Sequence, residues 1–217
     1  MKKVIIVSAA QIMPNDIILI NNEECYVIDI KLNQDLILVQ SIDGNKISKL
    51  NLSEKVSKVI EVQRGFEPVS LFKAKYIDEL KPGDRYYIAP TRKTAESAGY
   101  DFYTPINIQI EHKEIICIST NVKAFMQQDE ELRLSLRSGL ALKGLELMNG
   151  IGIIDSDYYN NNENDGNIGF IIRNVFKAPY VFRAGERIGQ GVFSKYLITW
   201  DDNADGVRTG GFGSTGR

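Results

Sequence analysis

The residues of this sequence that could carry out chemistry are concentrated in five short stretches between residue 97 and the C-terminus. Three of them are SAGYDF with Asp101, LRSGLA with Arg137, and NGIGIIDSDYY with Asp155. The other two are GERIGQGVF, which holds Gln190, and the final residues RTGGFGSTGR. His112 is the only histidine, which excludes histidine-based metal clusters and Ser-His or Cys-His catalysis. Any chemistry must therefore use carboxylates, hydroxyls, arginines or a bound metal.

Each stretch taken singly also has a purely structural explanation. AGYD can be a turn in which the aspartate bonds to its own backbone, and RSG can begin a helix with a serine cap. DSD can be a solvated hairpin, and Gln190 an outward-facing residue of a strand. Glycine-rich chain ends are usually disordered. These alternatives stay open for any one stretch alone.

The composition is that of an ordinary globular protein. The chain has 217 residues, of which 43% are hydrophobic and 25% are charged, with a formal net charge of −2. This balance provides no basic field, so nucleic acid and anionic membranes are disfavoured as partners. No apolar run approaches the roughly 18 residues of a membrane span, and the N-terminal run is too short for a signal peptide. Cys25 and Cys117 lie in apolar runs, so we expect buried free thiols in a cytoplasmic protein.

Short alternating strands dominate the chain, so its fold class is mainly β. SGLALKGLELM, from Ser138, is the best candidate for a short helix. A boundary is expected near residues 60–65, because no arginine precedes Arg64 and Tyr26 is the only aromatic residue before it. We therefore predict three parts: a small β-barrel-like module over 1–62, a β domain over 64–200, and a flexible linker with a C-terminal arm over 201–217.

The N-terminal module resembles the compact barrels at the front of some translation and transcription factors, on pattern alone. It lacks the basic stripe and the stacking aromatic residues with which such barrels bind nucleic acid. We therefore expect an architectural role or a protein partner for it.

Taken together and in order, the five stretches resemble the five motifs of the homotrimeric dUTPases, which split dUTP into dUMP and pyrophosphate. The family forms are approximately AGYDL, PRSGLA, NGxGxIDSDY, GDRIAQ and RGxGGFGSTG. Here they read AGYDF (98–102), LRSGLA (136–141), NGIGIIDSDY (149–158), GERIGQ (185–190) and RTGGFGSTG (208–216). The resemblance extends from about Arg64 to the C-terminus. It implies a distorted jelly-roll or β-barrel domain in a homotrimer whose active sites are each shared. Motifs one, two and four would come from one chain, motif three from the next and motif five from the third.

The resemblance also implies a role for each motif residue and a Mg²⁺ cofactor. By position, Asp155 is the general base that activates water for attack on the α-phosphorus. Asp101 would support the water shell of the metal without binding it directly. The residues implied for phosphate binding are Arg137, Ser138, Gly139, Gln190, Arg208, Gly213, Ser214 and Thr215. Those implied for the uracil and the deoxyribose, on a β-hairpin and the arm, are Asn149, Gly152, Ile154, Tyr158 and Phe212.

Two rival functions follow from the same scaffold. A regulatory, protein-binding role is compatible with catalysis, and the N-terminal module could serve it. A dCTP deaminase-like enzyme is disfavoured, because deaminases lack the glycine-rich tail.

The sequence departs from the common family form in four places, the first of which is Leu136, which replaces the usual proline of motif two. After Tyr158 a longer polar loop follows, YNNNENDGN, similar to loops of some bacterial and phage members, and we interpret it as an extended hairpin tip. The fifth motif is one residue shorter between Arg208 and Gly211. Gly189 and Gly191 replace larger residues of motif four, and we expect them to alter packing more than chemistry.

Overall fold

The computed structural model describes residues 2–8, 17–20, 23–31, 36–41, 47–51, 55–61, 63–208 and 210–211, with the strands before residue 62 described mainly by their backbone. The chain divides into two compact units, Met1–Gln63 and Arg64–Arg217. Both units are built from strands, which confirms the mainly β fold class. The roles expected for the separate parts stay predictions.

The N-terminal unit is an antiparallel sheet. Its strands are β1 (Lys2–Ser8), β2 (Ile17–Ile20), β3 (Glu23–Lys31), β4 (Leu36–Ser41), β5 (Ile47–Asn51) and β6 (Lys55–Glu61). They lie in the order β1-β6-β2-β3-β4-β5. In the described residues no ladder joins β1 to β5, so the sheet is open where a small barrel was expected. The reason is that β6 returns beside β1 along its whole length, which leaves β1 and β5 as the two edges.

The C-terminal unit is jelly-roll-like, as predicted, without a closed barrel. Its strands are β7 (Gly65–Pro68), β8 (Tyr100–Tyr103), β9 (Ile108–Ile110), β10 (Ile115–Ser119), β11 (Val122–Phe125), β12 (Glu130–Ser135), β13 (Leu145–Leu147), β14 (Gly152–Asp155), β15 (Gly169–Asn174), β16 (Tyr180–Phe182) and β17 (Arg187–Lys195). They form the sheets β14-β12-β17-β8, β10-β15-β13, β11-β7 and β16-β9. The helical pieces are α1 (Ser138–Ala141) and 3₁₀ turns at Ile77–Glu79 and Ser156–Tyr158. Within the described ranges, no helix has the length and apolar character that crossing a membrane requires.

Side chains from these sheets meet in one apolar core. Phe102, Phe170 and Phe182 are fully buried, and the rings of Phe102 and Phe170 lie 5.6 Å apart. A Cβ at Gly189 would come within 2.1 Å of the Phe170 ring, and one at Gly191 within 2.9 Å of the Phe102 ring. These glycines of motif four therefore make room for large core rings, which agrees with the packing role expected for them.

The helix predicted from Ser138 is shorter than its periodicity suggested. α1 ends at Ala141, and the chain turns at Gly144, whose φ of 77° lies in the left-handed region. Leu145 and Leu147 then belong to β13, which pairs with β15. Strand pairing therefore overrides the helical pattern of this segment.

The expectation of a buried Cys117 is wrong. Its neighbour Ile118 is fully buried, whereas Cys117 is exposed. Successive side chains of a strand point to opposite faces, so the apolar run around Cys117 buries only alternate residues. The side chain of Cys25 lies outside the described residues.

Candidate active site

The sheet β14-β12-β17-β8 carries motifs one, three and four, and motif two begins where β12 ends. Motif one lies in β8, motif four in β17 and motif three in the edge strand β14. The register aligns Ser135 with Gln190, and Gln190 with Asp101, in one row across three strands. Strand pairing therefore assembles motifs one, two and four at one end of this sheet.

Asp101 lies between two arginines at this end of the sheet. Arg137 Nε is 3.2 Å from Asp101 Oδ1, and Arg187 Nη1 donates to Asp101 Oδ2 at 3.1 Å. The carboxylate is nearly buried, and the backbone of Asp101 pairs with Thr91. Asp101 thus holds two guanidinium groups in place within a single chain.

These two arginines line a cleft of about 460 Å³ together with Ser138, Gly139 and Lys143. A Cβ at Gly139 would meet no atom within 4 Å, so the backbone there is open to a ligand. Glu186 also lines the cleft, so three cationic side chains face one carboxylate. This net positive charge, a hydroxyl and open backbone suit a chain of phosphate groups. The structure therefore brings the predicted Arg137, Ser138 and Gly139 together in one cleft with more positive than negative side chains.

Sequence reasoning missed Arg187, which is part of motif four. Arg187 and Gln190 are three residues apart, and strict strand alternation would put them on opposite faces. A bulge between Arg187 and Gly189 shifts the register, and both Arg187 and Gln190 face the Asp101 side. The presence of arginine in the motif was the only available signal, because the bulge cannot be read from the sequence.

Gln190 is held in this row by Ser135 at the end of β12 and by the glycine of motif one. Its Nε2 donates to Ser135 Oγ at 3.3 Å. A Cβ at Gly99 would come within 2.7 Å of Gln190 Oε1. The glycine of motif one therefore provides the space that the Gln190 amide occupies.

Asp155 ends the edge strand β14, and its side chain is 51% exposed. Burial raises the pKa of Asp155 above its usual range, and the negative charges of Asp157 and Glu131 raise it further, while Arg208 opposes them. Arg208 pairs with Asp155 through Nη2, and its Nε donates to Asp157 Oδ1 at 2.7 Å. A raised pKa makes a carboxylate a stronger proton acceptor.

Asp155 lies far from Asp101 within one chain. Asp155 stands opposite Glu131, four residues before Ser135 on β12, and three strand spacings separate β14 from β8. At about 3.4 Å per residue and about 4.8 Å per strand, the two carboxylates are on the order of 20 Å apart. A general base must lie within hydrogen-bond reach of its water, so Asp155 cannot act as a base on a ligand held in the cleft of its own chain.

Motif three was expected to form a β-hairpin. It does contain a turn followed by a strand, but the strands on either side of the turn do not pair with each other. β13 pairs with β15 while β14 pairs with β12, so residues 148–151 connect two different sheets. Asn149 is exposed on this turn, where Gly150 has a φ of 67°. Gly152 and Ile154 are buried, so β14 can offer a ligand mainly the backbone of its open edge.

Tyr158 follows Asp155 on a 3₁₀ turn and is almost completely buried. Its hydroxyl donates to the carbonyl of Asn167 at 3.0 Å and accepts from Asn164 Nδ2 at 2.7 Å. The guanidinium carbon of Arg208 lies 5.6 Å from the centre of its ring. Tyr158 is therefore a fixed platform next to Asp155, with Arg208 against its face.

The loop 159–167 is not the hairpin tip that we expected, because β14 and β15 belong to different sheets. Its polar residues fold it into a compact turn instead. Asn161 Oδ1 accepts two backbone N–H groups of the loop at 3.1 Å. Lys73 Nζ donates to two loop carbonyls, and Lys123 Nζ lies 3.0 Å from Asp165 Oδ1.

The described part of the C-terminal arm lies against motif three of its own chain. Besides the contacts of Arg208, the backbone N–H of Gly211 donates to Glu163 Oε2 at 2.5 Å. Gly210 and Gly211 are both buried. The predicted ligands Phe212, Gly213, Ser214 and Thr215 lie outside the described residues. The expectation that the arm serves a neighbouring subunit stays a prediction.

A Mg²⁺ ion prefers oxygen ligands and keeps several waters when it binds to proteins. No group of three or more His, Cys, Asp or Glu side chains that could hold a metal occurs among the described residues. Glu186 is the carboxylate that lines the cleft, and arginines already contact both oxygens of the neighbouring Asp101. The site therefore fits an ion held by phosphate oxygens and water, as Mg²⁺ often is, and not an all-protein cage.

Comparison with known proteins gives the family. A family model described as dUTPase matches residues 85–216. This chain belongs to the dUTPase family. The Deoxyuridine 5'-triphosphate nucleotidohydrolase of Lactococcus lactis subsp. lactis is 41% identical over 156 residues, which cover 70% of this chain and 97% of that protein.

Two solved dUTPase structures share the fold. The dUTPase from Streptococcus mutans is 38% identical, with a TM-score of 0.53 over 62% of this chain and 98% of its own. A variant of the dUTPase from phage phi11 of S. aureus, described with a structural Mg(II) ion, is 17% identical, with a TM-score of 0.50 over 67% of this chain and 98% of its own. All five motifs of this family member lie within the matched residues 85–216.

Proposed function

We propose that this protein hydrolyses dUTP to dUMP and pyrophosphate. The observation that carries the proposal is a carboxylate of raised pKa, Asp155, on the same sheet as a cleft lined by Arg137 and Arg187. General-base hydrolysis of a phosphoanhydride needs a proton acceptor and preorganised positive charge. Family membership and the named activity of the L. lactis relative support dUTP as the substrate.

In the proposed reaction, Asp155 accepts a proton from water as the water oxygen bonds to the α-phosphorus. The bond from the α-phosphorus to the oxygen that bridges the β-phosphate breaks, and pyrophosphate leaves. Arg137, Ser138 and Gln190 hold phosphate oxygens by charge and hydrogen bonds, with the Gly139 backbone beside them. Gly213, Ser214 and Thr215 of the arm are proposed to contact the phosphates as well.

Uracil recognition is proposed to fall to the open edge of β14. The uracil ring carries adjacent N–H and C=O groups that can pair with a free strand edge as a second strand would. Asn149 would add side-chain hydrogen bonds, Tyr158 would support the deoxyribose, and Phe212 would cover the ring. Such a pocket rejects thymine by crowding at its methyl group and cytosine by mismatched donors.

Mg²⁺ is the proposed cofactor, held by the substrate phosphates and by water, with Asp101 supporting the water shell. When bound, the ion neutralises negative charge on the triphosphate. The two arginines beside Asp101 supply the protein's own positive charge at the same place.

We also propose a homotrimer with shared active sites. The support is the separation of Asp155 from its own phosphate cleft, which a neighbouring chain would bridge. Mixing two inactive variants tests this: chains with Asp155→Asn, and chains that end at Val207. Activity returns in mixed trimers if base and arm come from different chains. Mixtures that stay inactive would mean that one chain supplies both, as in the contact of Arg208 with Asp155 seen in this single chain.

The substrate is tested directly by pyrophosphate release. The purified protein is incubated with dUTP, dTTP, dCTP or UTP in the presence of Mg²⁺. We expect turnover of dUTP far above that of the other three. Absence of dUTP turnover would sink the proposed function.

A second proposed role, protein binding, concerns the N-terminal unit. It is a compact unit, and in its described residues β1 and β5 are the two edges of the sheet, where a strand of a partner can pair. A chain shortened to begin at Gln63 should stay trimeric and active if this unit is accessory. Loss of assembly on shortening would make the unit structural instead.

A further inference from the structure

The loop 159–167 belongs to none of the five motifs, yet it contacts the C-terminal arm. Glu163 Oε2 accepts the backbone N–H of Gly211 at 2.5 Å, and Asn164 Nδ2 donates to the Tyr158 hydroxyl at 2.7 Å. We propose that Glu163 and Asn164 anchor the C-terminal arm and thereby position Arg208 beside Asp155. This inference rests on the proposed dUTP hydrolysis, in which the arm closes over the nucleotide.

Glu163 and Asn164 lie so close to position 211 of the arm that only glycine fits there without displacement. A Cβ there would lie 3.0 Å from Asn164 Nδ2 and 3.3 Å from Glu163 Oε2. Since such distances are tighter than ordinary van der Waals contact, a larger residue would push the arm away from the loop. Gly210 and Gly211 are buried although they lie near the end of the chain. The arm is therefore packed against the loop at this point.

A second contact lies three residues earlier in the arm. Arg208 is only 10% exposed, pairs with Asp155 and Asp157, and lies against the Tyr158 ring. Asn164 links the two contacts, because it bonds to the Tyr158 hydroxyl and lies next to Gly211. The arm is thus held at two points, and the Gly211 contact limits where the Arg208 guanidinium can reach.

The loop holds Glu163 in place by bonds that do not involve the arm. Lys73 Nζ donates to the carbonyls of Asn162 and Glu163 at 3.0 and 3.1 Å. Asn161 Nδ2 donates to the Tyr158 carbonyl and to Asn164 Oδ1, both at 2.8 Å. An anchor built in advance loses little conformational entropy when the arm docks.

The same anchor can serve either arrangement of the arm. All subunits of a homotrimer carry the same loop, so the contact is chemically identical for an arm from the same chain or from a neighbour. Glu163 is therefore a positioning residue in both cases, and its test does not depend on which chain supplies the arm.

Release of the peptide 209–217 by trypsin, which cleaves after Arg208, measures the anchor without substrate. We expect Glu163→Ala to release this peptide about tenfold faster than wild type, because a hydrogen bond to a carboxylate is lost. Glu163→Gln keeps an oxygen acceptor and should restore slow release. Asn162→Ala is the matched control, because Asn162 is exposed in the same loop and bonds to Lys73 through its carbonyl. Equal release from Glu163→Ala and wild type would overturn the proposal.

Kinetics with dUTP give a second, independent readout. Glu163→Ala should lower kcat/KM about tenfold in the full chain and have no further effect in a chain that ends at Val207. An equal loss in both backgrounds would mean that Glu163 acts on the fold and not through the arm. If wild type fails to hydrolyse dUTP, the proposed function is wrong, while the trypsin measurement still decides whether the anchor exists.

Discussion

The two ends of the candidate site are constructed in different ways. The cleft lined by Arg137 and Arg187 lies at one end of three paired strands, β12, β17 and β8. Asp101 contacts both arginines within one chain. Asp155 lies on an edge strand, is half exposed, and takes its cation, Arg208, from the distant C-terminal arm. The cleft is therefore preorganised by the sheet, whereas the proposed base, Asp155, depends on segments that come from elsewhere.

In the proposed reaction, this difference separates substrate binding at the cleft from chemistry at Asp155. Ion pairs inside a sheet hold a binding cleft ready before substrate arrives. An open strand edge with an arm laid against it can be completed or uncovered as substrate binds. Variants at the cleft should therefore act mainly on substrate binding, and variants at the edge on turnover.

The largest effect is expected at the edge, from Asp155→Asn. This change removes the proposed proton acceptor but keeps the shape, so turnover should fall about 10²- to 10⁴-fold while dUTP still binds. Steady-state kinetics and calorimetric binding measure the two quantities. Asp157→Asn is the comparison, because Asp157 also pairs with Arg208 and should cost much less. Near-normal turnover of Asp155→Asn would assign the base to another residue.

Ending the chain at Val207 should have the next largest effect. It removes Arg208 and the rest of the arm, and we expect a loss of about 10²-fold in turnover because charge stabilisation and closure are lost together. Size-exclusion chromatography with light scattering should find the same assembly as for the full chain. Full activity in the shortened protein would contradict a role for the arm.

At the cleft, Arg187→Gln should have a smaller effect on a different quantity. Asp101 would keep Arg137 but lose one charged partner, so the phosphate site should loosen and kcat/KM should fall about tenfold, mainly through KM. Arg183→Gln is the control, because Arg183 is exposed and lies outside this cleft. If Arg187→Gln lowered kcat and left KM unchanged, the cleft would not act mainly on substrate binding, and the proposed difference between the cleft and the β14 edge would be wrong.

The pH dependence tests the electrostatics of the edge and is the most subtle of these effects. Activity should fall on the acid side as Asp155 takes up a proton, at a pH above the usual range of aspartate. Glu131→Gln removes a negative charge that raises the pKa of Asp155, so the acid limb should move to lower pH. Because the folded-state pKa is raised, ionisation of Asp155 lowers the free energy of unfolding as pH rises through this window. Asp155→Asn should abolish this pH dependence of the free energy of unfolding. If the acid limb of activity in Glu131→Gln stayed at the wild-type pH, the assignment of that limb to Asp155 would be contradicted.

Several site features could be predicted because they are local. Arg137, Ser138 and Gly139 lie together in the cleft because they are consecutive residues at the start of α1. Cys117 and the segment after Ser138 were misjudged, because apolar content does not show which residues of a strand face inward or which partner strand is near. The pairing of β13 with β15 is a long-range contact, and no local pattern encodes it.

The sequence by itself determined the β character of the chain, the five motifs and their order, and therefore the family. The tertiary structure decided the rest: the bulge that turns Arg187 toward Asp101, the distance between Asp155 and the cleft, and the contact of Glu163 with Gly211. The physical reason is that each of these depends on residues far apart in the chain. The motifs can be recognised from consecutive residues. Whether their side chains contact one another depends on the register of the strands and on hydrogen bonds between loops that are distant in the sequence.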